Sequence, residues 1–188
     1  MSDSILPLVI YPSNKLKQVS ATIEKFDEDI KNKFLQLEAA MKHYEGYGIA
    51  GVQVGIMLRM FTIDWDLLLE GMQRLGHPTD LKPIGKTIFV ANPEILELSQ
   101  EEVTVTDGCL SLPGIYTEVS RPNRIKVKYH GIDGAEQVVE ATGLMAFCLQ
   151  HEIDHLNGKL FYDHLSALKR SILIKKLEKF IANLKRTQ

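Results

Sequence analysis

The chain has 188 residues, 45% of them hydrophobic and 24% charged, with a formal net charge of −2. These values suit one globular domain spanning 1–188 and exclude a disordered or fibrous chain. The near-neutral charge excludes a protein that wraps nucleic acid along its whole length, so no DNA partner is expected.

Residues 5–12 are apolar and close on Tyr11-Pro12, which suits a short extended arm. From Asp27 to Tyr44 the apolar residues Ile30, Phe34, Leu37, Met41 and Tyr44 recur at steps of four and three, which predicts an amphipathic helix. Asp27 or Asp29 can cap its start and Gly46 can follow its end. The segment Gly46–Gly55 holds four glycines, the mark of a backbone that something approaches closely. Strands are predicted at 58–64 and 86–91. The stretch 65–85 between them reads as a surface insertion with one helical turn at 67–72. Residues 102–106 predict a further strand. Residues 124–129 alternate with period two and return through Gly131–Gly134 into 137–141, a hairpin. Gly143–Leu156 is apolar on most sides and predicts a buried helix. Ser166 opens a last helix with Leu165, Leu168, Ile172, Leu177, Ile181 and Leu184 on one face. The expected fold is α+β, with antiparallel strands packed around the Gly143–Leu156 helix and one helix near each terminus. No apolar run approaches the ~20 residues of a membrane span. The start lacks the pattern of a secretory leader, so a cytoplasmic location without a membrane partner is expected.

The strongest chemical signal is His151-Glu152-Ile153-Asp154-His155, an HExDH on the buried helix. Histidines at i and i+4 share a helical face, so both imidazoles reach one metal ion. Glu152 then lies beside a water activated by that ion and can take its proton as general base. A catalytic metal needs a third protein ligand. The extended HExxHxxGxxH form fails, because residue 161 is Phe, and Glu178 lies among lysines. Cysteine remains. Two cysteines cannot staple a fold of this size and read as reduced thiols. Cys109 sits in Asp107-Gly108-Cys109-Leu110-Ser111 after a strand; Cys148 sits one turn before His151, where packing against the site is the preferred role. His43, His77, His130 and His164 have no ligand spacing and read as surface residues.

Three segments, in order, resemble the bacterial peptide deformylases of the type that carries a C-terminal helix: Gly46-Tyr47-Gly48-Ile49-Ala50-Gly51-Val52-Gln53, then Asp107–Ser111, then His151–His155. The likeness covers most of the chain and is least in 65–85. It implies a metal-dependent hydrolase that removes the formyl group from the N-terminal formylmethionine of nascent polypeptides and releases formate. It implies that Cys109, His151 and His155 hold one divalent ion, Fe²⁺ in the cell, replaceable by Zn²⁺, Ni²⁺ or Co²⁺. Ligand softness and tetrahedral geometry alone would suggest Zn²⁺. The resemblance makes Glu152 the general base and gives the oxyanion to Gln53 and the Leu110 backbone N–H. It places Gly48, Tyr47 and Gly108 on the substrate, and Leu144, Phe147 and Cys148 around the methionine side chain; positions 144, 147, 148 and 151 share one helical face. Without the resemblance, a zinc endopeptidase or a non-catalytic metal- or ribosome-binding protein would be the competing readings.

Four positions depart from the family pattern. Gly51 replaces an alanine, which should loosen the loop slightly. Tyr47 stands where Ile or Val is usual and brings bulk to the methionine pocket. Asp107 replaces Glu opposite Arg121. Tyr116 replaces an arginine that contacts the substrate backbone in many relatives. Residues 164–188 carry +6, leaving −8 on the other 163 residues. A basic amphipathic helix is commonly a solvated face; in relatives it touches ribosomal RNA, so a ribosome contact is the sharper expectation.

Overall fold

The computed structural model describes residues 5–74, 82 and 85–187. Helix α1, Glu28–His43, begins where predicted, because the Asp27 carboxylate accepts the backbone N–H of Asp29 and Ile30. Its buried residues Ile30, Phe34, Leu37, Ala40 and Met41 form one stripe. The chain then makes strand β1, Gly48–Ala50, and a 3-10 turn at Gly51–Val54. Strand β2, Met60–Asp64, leads directly into helix α2, Trp65–Arg74, ten residues where one turn was expected. Its amphipathic pattern buries Leu68, Leu69 and Met72, and Asp64 accepts the Leu67 N–H at its start. The rest of the expected insertion at 75–81 and 83–84, His77 included, lies outside the described residues.

Strand β3, Thr87–Leu98, runs past the expected end at residue 91. Asn92 takes a left-handed φ of 48°, and its amide bonds both the N–H and the carbonyl of Ile23. The register shifts there, so the strand carries Pro93 through a bulge rather than stopping. Strands β4, Glu102–Gly108, and β5, Tyr116–Pro122, pair as a separate two-stranded sheet. Strands β6, Arg124–His130, and β7, Glu136–Thr142, form the predicted hairpin. The main sheet is antiparallel in the order β1-β2-β3-β6-β7. Helix α3, Gly143–Leu156, has the predicted bounds and packs its apolar sides against the core with Phe61, Ile63, Val90, Ile125 and Val127. The fold is therefore α+β, with the expected helix at its centre.

Helix α4, Ala167–Thr187, docks by only part of the predicted row: Leu165, Leu177 and Ile181 belong to it, and Leu173 joins them. Leu173 and Leu177 are buried, with Leu165 and Ile181 packed beside them, while Leu168, Ile172 and Leu184 are exposed. Apolar residues cover more than one face of this helix, so spacing alone left the docking row open. Among the described residues, no helix is long and apolar enough to cross a membrane. The N-terminal arm is extended as predicted: Val9 N–H donates to the Gln53 carbonyl and Tyr11 N–H to the Ser111 carbonyl, tying two glycine-rich loops together.

Candidate metal centre

Helix α3 presents His151 and His155 toward the seam between the two sheets. Their Nε2 atoms lie 3.2 Å apart. Cys109, directly after β4, brings its Sγ to 3.3 Å from His155 Nε2. Among the described residues these three form the one group of Cys, His and carboxylate donors close enough to share an ion, all within 4.8 Å of one another. Two ring nitrogens and a sulfur converge in a largely buried space, and a divalent metal fits that donor set. Cys148 stays outside the cluster, so the choice between the two cysteines is decided by position. Burial, reinforced by the Glu152 carboxylate, pushes its thiol well up.

The surroundings orient these donors. The Asp107 carboxylate lies 3.0 Å (Oδ1) and 3.2 Å (Oδ2) from His151 Nδ1, which turns Nε2 toward the cluster. Burial alone would depress the His151 imidazole; Asp107 and Cys109 outweigh it and raise it well above its ordinary value. Burial, then the neighbouring His151, push His155 well down. Arg121 Nη2 donates to Asp107 at 3.3 Å and Nη1 to Asp154 at 2.6 Å, so the shorter acid reaches the arginine directly. His164 Nε2 lies 2.6 Å from the same Asp154 oxygen. His164 is a surface residue, as expected, yet it is paired to this largely buried carboxylate; the twist of chain after α3, invisible to spacing, brings it there.

Glu152 is buried, with Oε2 lacking a hydrogen-bond partner. Burial lifts its carboxyl to about 7 against the pull of His151 and Arg121, which suits a proton acceptor working near neutrality. Gln53 is also buried. Its Oε1 accepts the Ala50 N–H at 2.8 Å, which aims Nε2 at Cys109 Sγ (3.4 Å) and Ser111 Oγ (3.3 Å). Gly48 is required by space: a Cβ there would stand 2.8 Å from Glu152 Oε1 and 3.2 Å from Cys148 Sγ. At Gly51 a Cβ would stand 2.6 Å from the Ile56 carbonyl, so this glycine tightens the loop where loosening was expected.

A cavity of about 520 Å³ opens onto this cluster. Every residue expected at the site except His155 lines it: Tyr47, Gly48, Gln53, Gly108, Cys109, Leu110, Leu144, Phe147, Cys148, His151 and Glu152. His155 lies deeper, 1% exposed, on the far side of the donor cluster. Leu68 and Val105 also line the cavity and were missed. Leu68 could have been found from the amphipathic run of α2; Val105 only from the pairing of β4. A larger open cleft of about 1020 Å³, between α1, α2 and β3, contains none of these groups.

A family model described as polypeptide deformylase matches residues 5–171. A curated peptide deformylase from Brucella suis is 46% identical over 176 residues, 94% of this chain and 93% of that one. The crystal structure of a peptide deformylase from Legionella pneumophila superposes with a TM-score of 0.83 at 35% identity, over 97% of this chain and 99% of that one. The crystal structure of peptide deformylase from Ehrlichia chaffeensis in complex with actinonin gives 0.80 at 35% identity, over 94% and 97%.

Proposed function

The chain belongs to the peptide deformylase family, and we propose that the cavity between its two sheets is where it removes the formyl group from the N-terminal formylmethionine of nascent polypeptides. The enzyme is a metal-dependent hydrolase, and the reaction adds water across the formamide bond to give formate and a free amine. The observation that carries the assignment of the site is the convergence of Cys109, His151 and His155 beneath a cavity that also holds Glu152 and Gln53.

In this reading Cys109, His151 and His155 hold one divalent ion, Fe²⁺ in the cell, with Zn²⁺, Ni²⁺ or Co²⁺ able to replace it. When bound, such an ion supplies Lewis acidity and lowers the pKa of water toward neutrality. Glu152 takes the proton of the attacking water and delivers it to the departing amine nitrogen. Gln53 Nε2 and the Leu110 N–H hold the negative charge that develops on the formyl oxygen; one such donor typically contributes ~3–4 kcal/mol to lowering the barrier. Gly48 holds the peptide backbone, Gly108 meets the substrate beside it, and Tyr47 borders the methionine pocket and narrows it. Leu144, Phe147 and Cys148 receive the methionine side chain; Phe147 is buried and the other two are half-buried, which gives that side chain an apolar wall. Residues 1–188 act as one catalytic unit in the cytoplasm, and the basic helix at 164–188 contacts the ribosome, whose RNA its charge complements. Formate release from formyl-Met-Ala-Ser by anaerobically prepared enzyme, with bound metal measured, tests the reading. No release with either Fe²⁺ or Ni²⁺ present would overturn it.

A further inference from the structure

Gly71 stands inside α2, buried, with an ordinary helical backbone and no left-handed φ. A glycine there weakens the helix relative to alanine, and nothing in the backbone calls for it. Space does. A Cβ at Gly71 would stand 2.8 Å from the Tyr47 hydroxyl oxygen, 3.0 Å from Cζ and 3.3 Å from Cε1. The end of the Tyr47 ring therefore lies in the hollow that the missing side chain leaves on α2. The root of the same residue is tied to the same region. Its carbonyl accepts the Asp64 N–H at 2.9 Å, and the Asp64 carboxylate accepts the Leu67 N–H at the start of α2. Leu68, one turn before Gly71 on the same helical face, lines the same cavity as Tyr47, whereas Gly71 does not line it.

Tyr47 thus has α2 against its ring tip and the cavity along its length, and it is 40% exposed. Its position in the cavity wall depends on the hollow behind it. We propose that Gly71 is a positioning residue that acts through Tyr47: its bare surface seats the ring against α2 and so sets the width left for the side chain of the first residue. The proposal rests on the deformylase reading above and adds to it a position that touches neither substrate nor metal. With the hollow filled, the ring is lifted off α2 toward the cavity, because its root in β1 stays fixed. A long side chain then loses more room than a short one.

The test compares the parent, Gly71→Ala, Tyr47→Val and the double variant, all metal-loaded, on formyl-Met-Ala-Ser and formyl-norvalyl-Ala-Ser. Gly71→Ala should lower the kcat/KM ratio of the Met over the norvaline peptide by about tenfold, mainly through KM, the scale that one chain atom commands in an apolar pocket. In the Tyr47→Val background, Gly71→Ala should leave that ratio where Tyr47→Val alone puts it. Melting temperatures read the same contact without substrate. Gly71→Ala should raise the melting temperature by about 2 °C in Tyr47→Val protein, where alanine favours the helix and no ring opposes it, and by less in the parent. A ratio that holds or rises in Gly71→Ala, a ratio that falls equally in both backgrounds, or equal melting shifts in both would overturn the seat while leaving deformylation standing. Absence of formate from both peptides with the parent would instead bring down the reading beneath it, and the melting comparison would still judge the seat.

Discussion

Gly48 and Glu152 define the working distance of the proposed base. With Oε1 lying 2.8 Å from where a Cβ at Gly48 would stand, Gly48→Ala must push the carboxylate aside. A displacement of that size costs up to about 10²-fold in rate, so formate release should drop by one to two orders of magnitude while the melting temperature moves little. Glu152→Gln tests the base itself. The loss of proton transfer should cost about 10²- to 10⁴-fold in kcat. The same change removes a buried carboxylate whose Oε2 has no partner, so the variant should melt no lower than the parent. A lower melting temperature would mean that Glu152 also supports the fold. Glu152, His151 and His155 were legible from five consecutive letters, because an i, i+4 pair fixes its own geometry. The pairing of His164 was not legible, since its partner Asp154 is reached only by the turn of chain that follows α3.

At the level of elements, Arg121 joins β5 to β4 and to α3 through Asp107 and Asp154. All three side chains are largely buried, and removing the guanidinium leaves Asp107 with only His151 and Asp154 with only His164 as side-chain partners. Arg121→Ala should destabilise the protein by about 3–5 kcal/mol in denaturant unfolding. Burial would raise the Asp154 carboxyl, but His164 and Arg121 hold it down at about 2, below its ordinary 3.8. A carboxylate depressed on folding stabilises the native state above its unfolded pKa. That stability is lost as pH falls from about 4 toward 2, and here amounts to about 2 kcal/mol. Asp154→Asn should therefore flatten the acid limb of a stability-against-pH curve and leave a lower plateau near neutrality. The same arginine explains why β5 was not found in the sequence. Its inward positions are Thr117, Val119 and Arg121, and a charged residue at a buried position hides the alternation that marks a strand. β6 kept its apolar alternation through Ile125, Val127 and Tyr129 and was found. Asn92-Pro93 concealed the second half of β3 because a bulge has no sequence period.

For the molecule as a whole, charge and packing are divided unequally. Helix α4 belongs to a segment carrying +6, against −8 elsewhere, yet Leu173 and Leu177 lie in one cluster with Leu112, Phe147 and Phe161. Deleting 169–188 would open that cluster next to the pocket and confound any binding result. Leu177→Ala alone should cost about 2–5 kcal/mol, visible as a lower melting temperature. Replacing Lys169, Lys175, Lys176 and Lys179 with glutamine leaves the cluster intact. In sedimentation with ribosomes, this variant should bind more weakly and with a shallower salt dependence; affinity equal to the parent's would remove α4 from the proposed contact. One further consequence follows from α3 carrying both the pocket residues and the histidines. Leu144 and His151 are seven residues apart on a single rigid helix, about 10 Å along its axis at ~1.5 Å per residue. The helix is thereby a measuring rod: the span between Leu144 in the cavity wall and His151 in the donor cluster is set by the hydrogen-bonded helix itself, and no loop movement resets it.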